Sequence, residues 1–263
     1  MRLVDLTRLM DPGDIEKMPP EQRSGPTPLY PLVTPIRPAV EGAQVMARIF
    51  GCHPEDLPGG EGWGDEDLRM STHVGTHVDA PLHYGSQCEG RPSRTISDIG
   101  IEELFCPAVV LDLREVSVPN EAYSVTALEA AVRANGAVIE PGSAILLRTG
   151  QERYRVGERE MMRYPGMSRE GTLYLGSLGA KVLGTDALGW DRPFGAMARA
   201  FRETGDAAQI WDGHFAGRER EVFIVQQLSN LAAVPASGFH VGFFPLRLKG
   251  VSAAPARVVA FVP

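Results

Sequence analysis

Cysteine, dense basic runs and long apolar runs are all scarce in this chain, and each scarcity excludes a class of protein. Only three cysteines occur in 263 residues, so we expect reduced thiols with at most one bridge. Lysine and arginine form no dense run and the formal net charge is −7, which argues against nucleic acid as a partner. No apolar run approaches the roughly 18 residues of a membrane span, and residues 1–6 lack a hydrophobic signal core. We therefore expect a cytoplasmic protein with no membrane partner.

Apolar segments typical of strands alternate with helical segments, which predicts an α/β protein with mixed structure. The predicted strands are residues 2–7, 107–113, 144–149, 182–186, 221–228 and 257–262. Helices are predicted over residues 126–135, where Thr126 and Glu129 form a capping box, and over 168–179, with Ser168 as the N-cap. No repeat or charged linker divides the chain, so we predict a single domain over residues 1–263.

Histidine is concentrated in one short segment, where His73, His77 and His83 accompany Asp79 within eleven residues. All four lie at odd positions, so an extended backbone would place them on one face. A straight strand would still hold the first two histidines about 13 Å apart, too far for one metal ion. The backbone must therefore bend, and Gly75 lies midway between them. We predict a compact loop in which two imidazoles and one carboxylate converge, with a further histidine nearby.

Two imidazoles and one carboxylate form the ligand set of a divalent-metal site with open positions. We predict that His73, His77 and Asp79 hold one divalent ion per chain, Mn²⁺ or Zn²⁺, because the set suits either metal. His83 lies outside this minimal set, and the ordinary pKa of an imidazole suits it to catalytic proton transfer. A purely structural metal fits poorly, since structural sites usually have four protein ligands, often cysteine, and this segment has none.

Proline and glycine mark two further segments. Residues 11–38 are rich in proline and predict irregular surface chain, which in a compact domain is often functional or partner-bound. Residues 51–66 are rich in glycine and predict a flexible loop that delivers Trp63 just ahead of the histidine motif. A lone tryptophan is usually a core or interface residue, but beside a metal site it also suits an aromatic wall that binds a flat substrate.

The histidine segment resembles the signature of the metal-dependent cyclase family, which includes bacterial kynurenine formamidases and isatin hydrolases. Its motif reads His73-x-Gly75-Thr76-His77-x-Asp79-x-Pro81-x-His83. The resemblance covers nearly the whole chain and implies a single-domain swivelling β/β/α fold with a mixed central sheet. It also implies a metal-dependent amidohydrolase that activates water against a small aromatic amide, and a homodimer or higher homo-oligomer.

A second group of residues resembles the same family. His214 is followed twelve residues later by Gln226, which precedes the run Leu228-x-Asn230-Leu231. Formamidases of the family have glutamate at that position, where the histidine and glutamate serve a second metal bridged by the motif aspartate. A neutral amide is a far weaker ligand for a hard cation, so we expect one tightly held metal and an empty or weak second site. Isatin hydrolases resemble this chain in having a single manganese and a glutamine here. His214 and Gln226 then suit hydrogen bonds to a substrate or product carboxylate.

The single-metal pattern favours the lactam of isatin, opened to isatinate, over the formamide of N-formylkynurenine. Both substrates stay open, as do other small amides, imides and lactones. A non-catalytic protein that uses the metal to bind an aromatic carboxylate is a further alternative, against which His83 argues because a binder needs no proton carrier. Asp186 resembles an acidic residue near the family site, although an aspartate at a strand end commonly just caps a turn.

Overall fold

The computed structural model describes residues 1–18 and 30–263, which divide into two compact units. One unit comprises Met1–Leu9 and Thr72–Pro263, and the other comprises Met10–Ser71. The single domain over residues 1–263 therefore stays a prediction. Within the described residues, no helix combines the length and the apolar character that crossing a membrane requires.

The described part of the chain forms twelve strands and five α-helices, connected by short helical turns. The strands are β1 (Arg2–Asp5), β2 (Leu32–Ile36), β3 (Asp65–Arg69), β4 (His77–Asp79), β5 (Gln87–Cys88), β6 (Arg91–Pro92), β7 (Phe105–Asp112), β8 (Ala144–Arg148), β9 (Val182–Thr185), β10 (Phe223–Gln226), β11 (Phe239–Pro245) and β12 (Ala253–Val262). The helices are α1 (Ala43–Phe50), α2 (Val125–Asn135), α3 (Arg169–Ser177), α4 (Phe194–Thr204) and α5 (Asp212–Phe215).

The larger unit is built on one mixed sheet that closes on itself. Its strand order is β1-β12-β11-β7-β8-β9-β10-β4, and β4 also pairs with β12, which completes a barrel. Strands β7 to β10 run parallel to one another, whereas β4 and β11 are antiparallel to both of their neighbours. The predicted α/β class with a mixed central sheet is confirmed.

Successive residues of the central strands alternate between two hydrophobic cores, as the two-residue period of a strand requires. One core takes residues from all eight strands of the sheet, among them Val110, Leu146 and Val225. The other lies on the opposite face, where Leu111, Ile145 and Ile224 belong to the same cluster as Leu128 of α2 and Leu175 of α3. The strands are therefore apolar on both faces, because one face lines the barrel and the other is covered by helices.

Most predicted elements of this unit are present, with ends shifted by a few residues. Ser168 caps α3 as predicted, and its side chain accepts a hydrogen bond from the Gly171 amide. The capping box at Thr126 is wrong, because α2 begins one residue earlier and its N-cap is Ser124. Helix α4 and strand β11 were not predicted, and β12 begins at Ala253 rather than at residue 257.

The smaller unit corrects one prediction of irregular chain. Within residues 11–38, β2 pairs antiparallel with β3, although residues 19–29 of this segment lie outside the described chain. In the glycine-rich segment 51–66, Gly62 lies against the start of α1, and the flexibility of the segment stays a prediction. A Cβ atom on Gly62 would lie only 2.2 Å from the carbonyl oxygen of Gly42, so the two backbones touch. Glycine is needed there for close approach.

Candidate metal centre

The histidine motif bends at Gly75 and then enters the barrel. Gly75 has φ of +61°, a left-handed conformation that glycine adopts without steric cost, so the predicted bend is confirmed. The prediction of a loop throughout is wrong, since His77 and Asp79 lie at the two ends of β4. This strand forms because it fills the gap between β10 and β12. His73 remains in the turn before it.

Two imidazoles converge on one oxygen of Asp79. His73 Nδ1 lies 2.9 Å from Asp79 Oδ1, and His77 Nε2 lies 3.4 Å from the same oxygen. The other nitrogen of each ring has a partner that orients it. His77 Nδ1 donates to the carbonyl of Gly75 at 2.8 Å, and His73 Nε2 lies 3.1 Å from the hydroxyl of Ser252. Metal-binding histidines are commonly held in this way by a second hydrogen bond.

The converging atoms include two that the protein itself leaves unsatisfied. His77 Nε2 and Asp79 Oδ1 are buried, and neither has a hydrogen-bond partner within residues 1–18 and 30–263. A buried polar atom without a partner costs about 1–3 kcal/mol. Burial alone raises the pKa of Asp79, but the neighbouring imidazoles, His77 first, hold that pKa well below its usual value. An ionised carboxylate and a free imidazole lone pair are what a divalent cation would satisfy.

His83 follows on the short turn Pro81–His83 and lies beside these atoms. One nitrogen each of His73 and His83 and one oxygen of Asp79 lie within 4.8 Å of one another. Among the described residues this group does not include His77, so by distance alone His83 is the third candidate ligand. The orienting bonds favour His77, because no hydrogen bond from the described residues reaches the ring of His83. Burial lowers the pKa of His83 to about 3, so the ring is neutral but a weaker base than an ordinary imidazole, and its role in proton transfer stays a prediction.

The second oxygen of Asp79 has different neighbours. The side-chain amide of Gln226 donates to Asp79 Oδ2 at 2.8 Å and lies 3.3 Å from His214 Nε2. His214 Nε2 is 3.5 Å from the same oxygen. The structure therefore brings both residues of the second predicted group to Asp79, from β10 and from α5.

Asp191 is a buried residue of this centre that the sequence analysis missed. Its Oδ2 accepts a hydrogen bond from His214 Nδ1, and its Oδ1 accepts one from the Gly213 amide at 2.6 Å. Burial alone lowers the pKa of His214, and the two carboxylates of Asp191 and Asp79 outweigh it and raise that pKa to about 9. Asp191 lies 23 residues before His214 in a loop, and no motif connects the two in the sequence.

Trp211 is the second missed residue. It precedes α5 with φ of +53°, and its ring stacks on His214 at 4.4 Å between centroids. It also meets the ring of His83 edge to face, with 4.8 Å between the ring centroids. The signal was present, since Trp211 stands three residues before a predicted site histidine. Trp63 belongs to the other unit, with 43 % of its surface exposed, and its role as an aromatic wall stays a prediction.

The carboxylate of Asp186 is already hydrogen-bonded within a turn. Its carboxylate accepts hydrogen bonds from the amide and hydroxyl of Thr149, at 2.9 and 2.6 Å, and from the amide of Gly150 at 2.9 Å. These bonds join the end of β9 to the chain that follows β8. The geometry agrees with a structural cap.

Comparisons with known proteins point in one direction. The family model described as "Putative cyclase" matches residues 4–192. The isatin hydrolase of Roseibium aggregatum is 25 % identical over 210 residues, which are 74 % of this chain and 73 % of that protein. The kynurenine formamidase of Sphingopyxis alaskensis is 24 % identical over 187 residues, 71 % of this chain and 75 % of that protein. A solved isatin hydrolase bound to the product analogue thioisatinate has a TM-score of 0.73 at 21 % identity, covering 100 % of this chain and 92 % of that one.

Proposed function

Because the chain belongs to the cyclase family, we propose that it is a metal-dependent hydrolase that opens a small cyclic amide of the isatin type. The observation that carries this proposal is the division of Asp79, whose Oδ1 meets two imidazoles while its Oδ2 accepts the amide of Gln226. One oxygen is left to a cation and the other is closed by the protein. This arrangement supports a centre with one metal ion.

His73, His77 and Asp79 would hold that ion, Mn²⁺ or Zn²⁺. The unsatisfied Nε2 of His77 and Oδ1 of Asp79 fit the group, because their lone pairs converge and have no donor of their own. When bound, a divalent ion supplies Lewis acidity, which lowers the pKa of a water from 15.7 to about 7 and polarises a carbonyl oxygen.

His83 would carry the proton. Its ring is not tied by a hydrogen bond from the described residues, and it lies beside the ligand atoms. It can take a proton from water as the oxygen forms its bond to the lactam carbon, and then give that proton to the nitrogen as the carbon–nitrogen bond breaks. The products are an aryl amine and a carboxylate on one molecule, with one proton released. Transfers of this kind are typically worth about 10²–10⁴-fold in rate.

The aromatic substrate would lie near Trp211. This ring borders both His83 and His214, so a flat substrate at the carboxylate would meet an aromatic face. His214 and Gln226 offer polar atoms on the same side for the carboxylate of the product. The isatin hydrolase relative, and the solved one that holds a product analogue, support this substrate class.

A formamidase that hydrolyses N-formylkynurenine is the second candidate, supported by a relative of nearly equal identity. Dialysed protein reloaded with Mn²⁺ or Zn²⁺ should be given isatin and N-formylkynurenine in parallel, with each product followed by its absorbance. We expect isatin to have the higher kcat/KM by at least about tenfold, worth about 1.4 kcal/mol in transition-state binding. The reverse order would select the formamidase. Tight retention of isatinate without turnover of either amide would select the non-catalytic binder.

The homodimer or higher homo-oligomer and the cytoplasmic location stay predictions. Gel filtration with light scattering tests the first of these directly.

A further inference from the structure

A buried carboxylate lies behind the metal centre and has no part in the proposed reaction. Asp191 is 2 % exposed, and none of its side-chain hydrogen bonds among the described residues reaches a candidate ligand atom or the ring of His83. The hydrogen bonds that its side chain accepts from the described residues all come from Gly213 and His214 in α5. Oδ1 accepts from the amides of Gly213 and His214 at 2.6 and 3.3 Å, and Oδ2 accepts from the ring of His214.

The contacts between Asp191 and Asp79 fix the orientation of the His214 ring. A carboxylate only accepts, so the contact with Asp191 requires a proton on His214 Nδ1. The amide nitrogen of Gln226 has two protons, one directed to Asp79 Oδ2 at 2.8 Å. His214 Nε2 lies 3.3 Å from the same amide nitrogen and 3.5 Å from Asp79 Oδ2. The hydrogen bond from Nδ1 to Asp191 therefore turns the Nε2 edge of the ring towards Gln226 and Asp79.

We propose that Asp191 is a positioning residue that holds the ring of His214 through its Nδ1 and thereby keeps the Nε2 edge of the ring against the Gln226 amide and Oδ2 of Asp79. It acts through two other side chains on the orientation of the carboxylate that would hold the metal. This inference rests on the proposed metal-dependent function for its effect on the metal, but the contact between Asp191 and His214 is testable without it.

Asp191→Asn is the variant that reverses the contact while keeping the volume. The oxygen of the asparagine remains the acceptor that the Gly213 amide requires, so its NH₂ group is turned towards His214 Nδ1. Two donors cannot share a proton position, so the ring can keep its place only if Nδ1 has no proton, which leaves the proton at Nε2. The ring then lacks its charged partner, and we expect its edge against Gln226 and Asp79 to shift.

The readout is the protonation of each histidine nitrogen, measured by ¹⁵N–¹H NMR on protein labelled at histidine and loaded with diamagnetic Zn²⁺. His214→Gln identifies which of the six histidine spin systems is His214. In the wild type we expect His214 protonated at Nδ1, with slow exchange of that proton. In Asp191→Asn we expect the proton at Nε2, and an affinity for Zn²⁺ about tenfold weaker, the lower end of the range for residues that orient metal ligands.

Asp212→Asn is the matched control. Asp212 also lies on the first turn of α5, and it accepts a hydrogen bond from the Arg169 amide at 2.8 Å. The substitution Asp212→Asn therefore removes a similar charge without changing a partner of the His214 ring. We expect its His214 tautomer and Zn²⁺ affinity to equal those of the wild type.

Three results would overturn the inference. An unprotonated Nδ1 in the wild type removes its premise, and this result needs no variant to fold. An unchanged tautomer in Asp191→Asn, or a changed tautomer with Zn²⁺ affinity within about twofold of wild type, removes the link to Asp79. An equal loss in Asp212→Asn assigns the effect to charge alone. Failure of the wild type to bind metal would instead reject the proposed function, while the tautomer still reports on Asp191.

Discussion

The two oxygens of Asp79 belong to one fully buried carboxylate, yet their surroundings differ. Oδ1 faces His73 and His77, and no contact with it among the described residues has the geometry of a hydrogen bond. Oδ2 accepts from Gln226, which is backed by His214 and, behind it, by Asp191. The side around Oδ2 is complete without any added group. The side around Oδ1 leaves polar atoms buried and unsatisfied, at a cost of about 1–3 kcal/mol for each.

This difference indicates which oxygen of Asp79 would bind a cation. A protein that needed only a stable core would satisfy both oxygens in the same way, as the hydrogen bonds to Asp186 do. Here a strand register places His77 and Asp79 on one side of a carboxylate whose other side is closed by an amide. The contrast between the two sides can be broken by substitutions on either one.

Removing the shared carboxylate should have the largest effect. In Asp79→Asn the Oδ1 side loses its only negative charge, so we expect metal affinity to fall by more than the roughly 100-fold that loss of an orienting partner costs. Hydrolysis should fall by at least about a thousandfold, since several kcal/mol of transition-state stabilisation depend on the ion. Elemental analysis of purified protein and single-turnover assays measure the two losses.

Asp186→Asn is the matched control for that variant. Asp186 is as deeply buried, but the turn beyond β8 satisfies its oxygens. We expect a lower melting temperature with the metal content unchanged. Loss of metal in this control as well would show that the effect of Asp79→Asn comes from damage to the fold.

Removing the proposed proton carrier, His83, should have the second-largest effect. We expect His83→Ala to lower kcat by at least about 100-fold, the lower bound for general acid–base catalysis, with metal content near that of the wild type. The structure leaves His83 without an orienting hydrogen bond from the described residues, unlike His77. If metal is lost together with activity, His83 is a ligand and the assignment of His77 must be given up.

Opening the closed side should change the number of metal ions. In Gln226→Glu a carboxylate replaces the amide donor beside Asp79 Oδ2 and His214 Nε2. We expect calorimetric titration to show a second equivalent of Zn²⁺, and activity with one equivalent to fall about tenfold. Gln226→Met removes the donor without adding charge and should bind one equivalent only. A single equivalent in both variants would contradict the division of Asp79 into a metal side and a closed side.

The smallest effect is expected at the aromatic wall. Loss of one aromatic contact is worth about 0.5–1.5 kcal/mol, so Trp211→Ala should raise KM for an aromatic amide roughly two- to tenfold with kcat little changed. Trp63→Ala is the parallel variant for the tryptophan that the sequence indicated. A larger rise in KM for Trp63→Ala than for Trp211→Ala would restore the sequence-based assignment.

The sequence predicts the metal side of this comparison well because its members are close in the chain. His73, His77, Asp79 and His83 lie within eleven residues, so their spacing alone limits how the backbone can bring them together. Whether they lie on a loop or a strand depends on β10 and β12, which are distant in sequence. The prediction that all four residues lie on a loop was therefore wrong.

The closed side depends on long-range folding, and the sequence gives less of it. Family resemblance indicated His214 and Gln226, but Asp191 reaches them from a different loop. A lone aspartate has no periodic or spacing signal.

Helix α4 did have a periodic signal in the sequence, since Phe194, Met197 and Phe201 follow a helical spacing that was overlooked.

The central claim is that Oδ1 of Asp79 shares one cation with His73 and His77. Crystals grown with Mn²⁺ and measured near the manganese absorption edge test it most directly. We expect one anomalous peak per chain, bonded to His73 Nδ1, His77 Nε2 and Asp79 Oδ1. No peak at these atoms, or a peak bonded to His83 with His77 turned away, would contradict it.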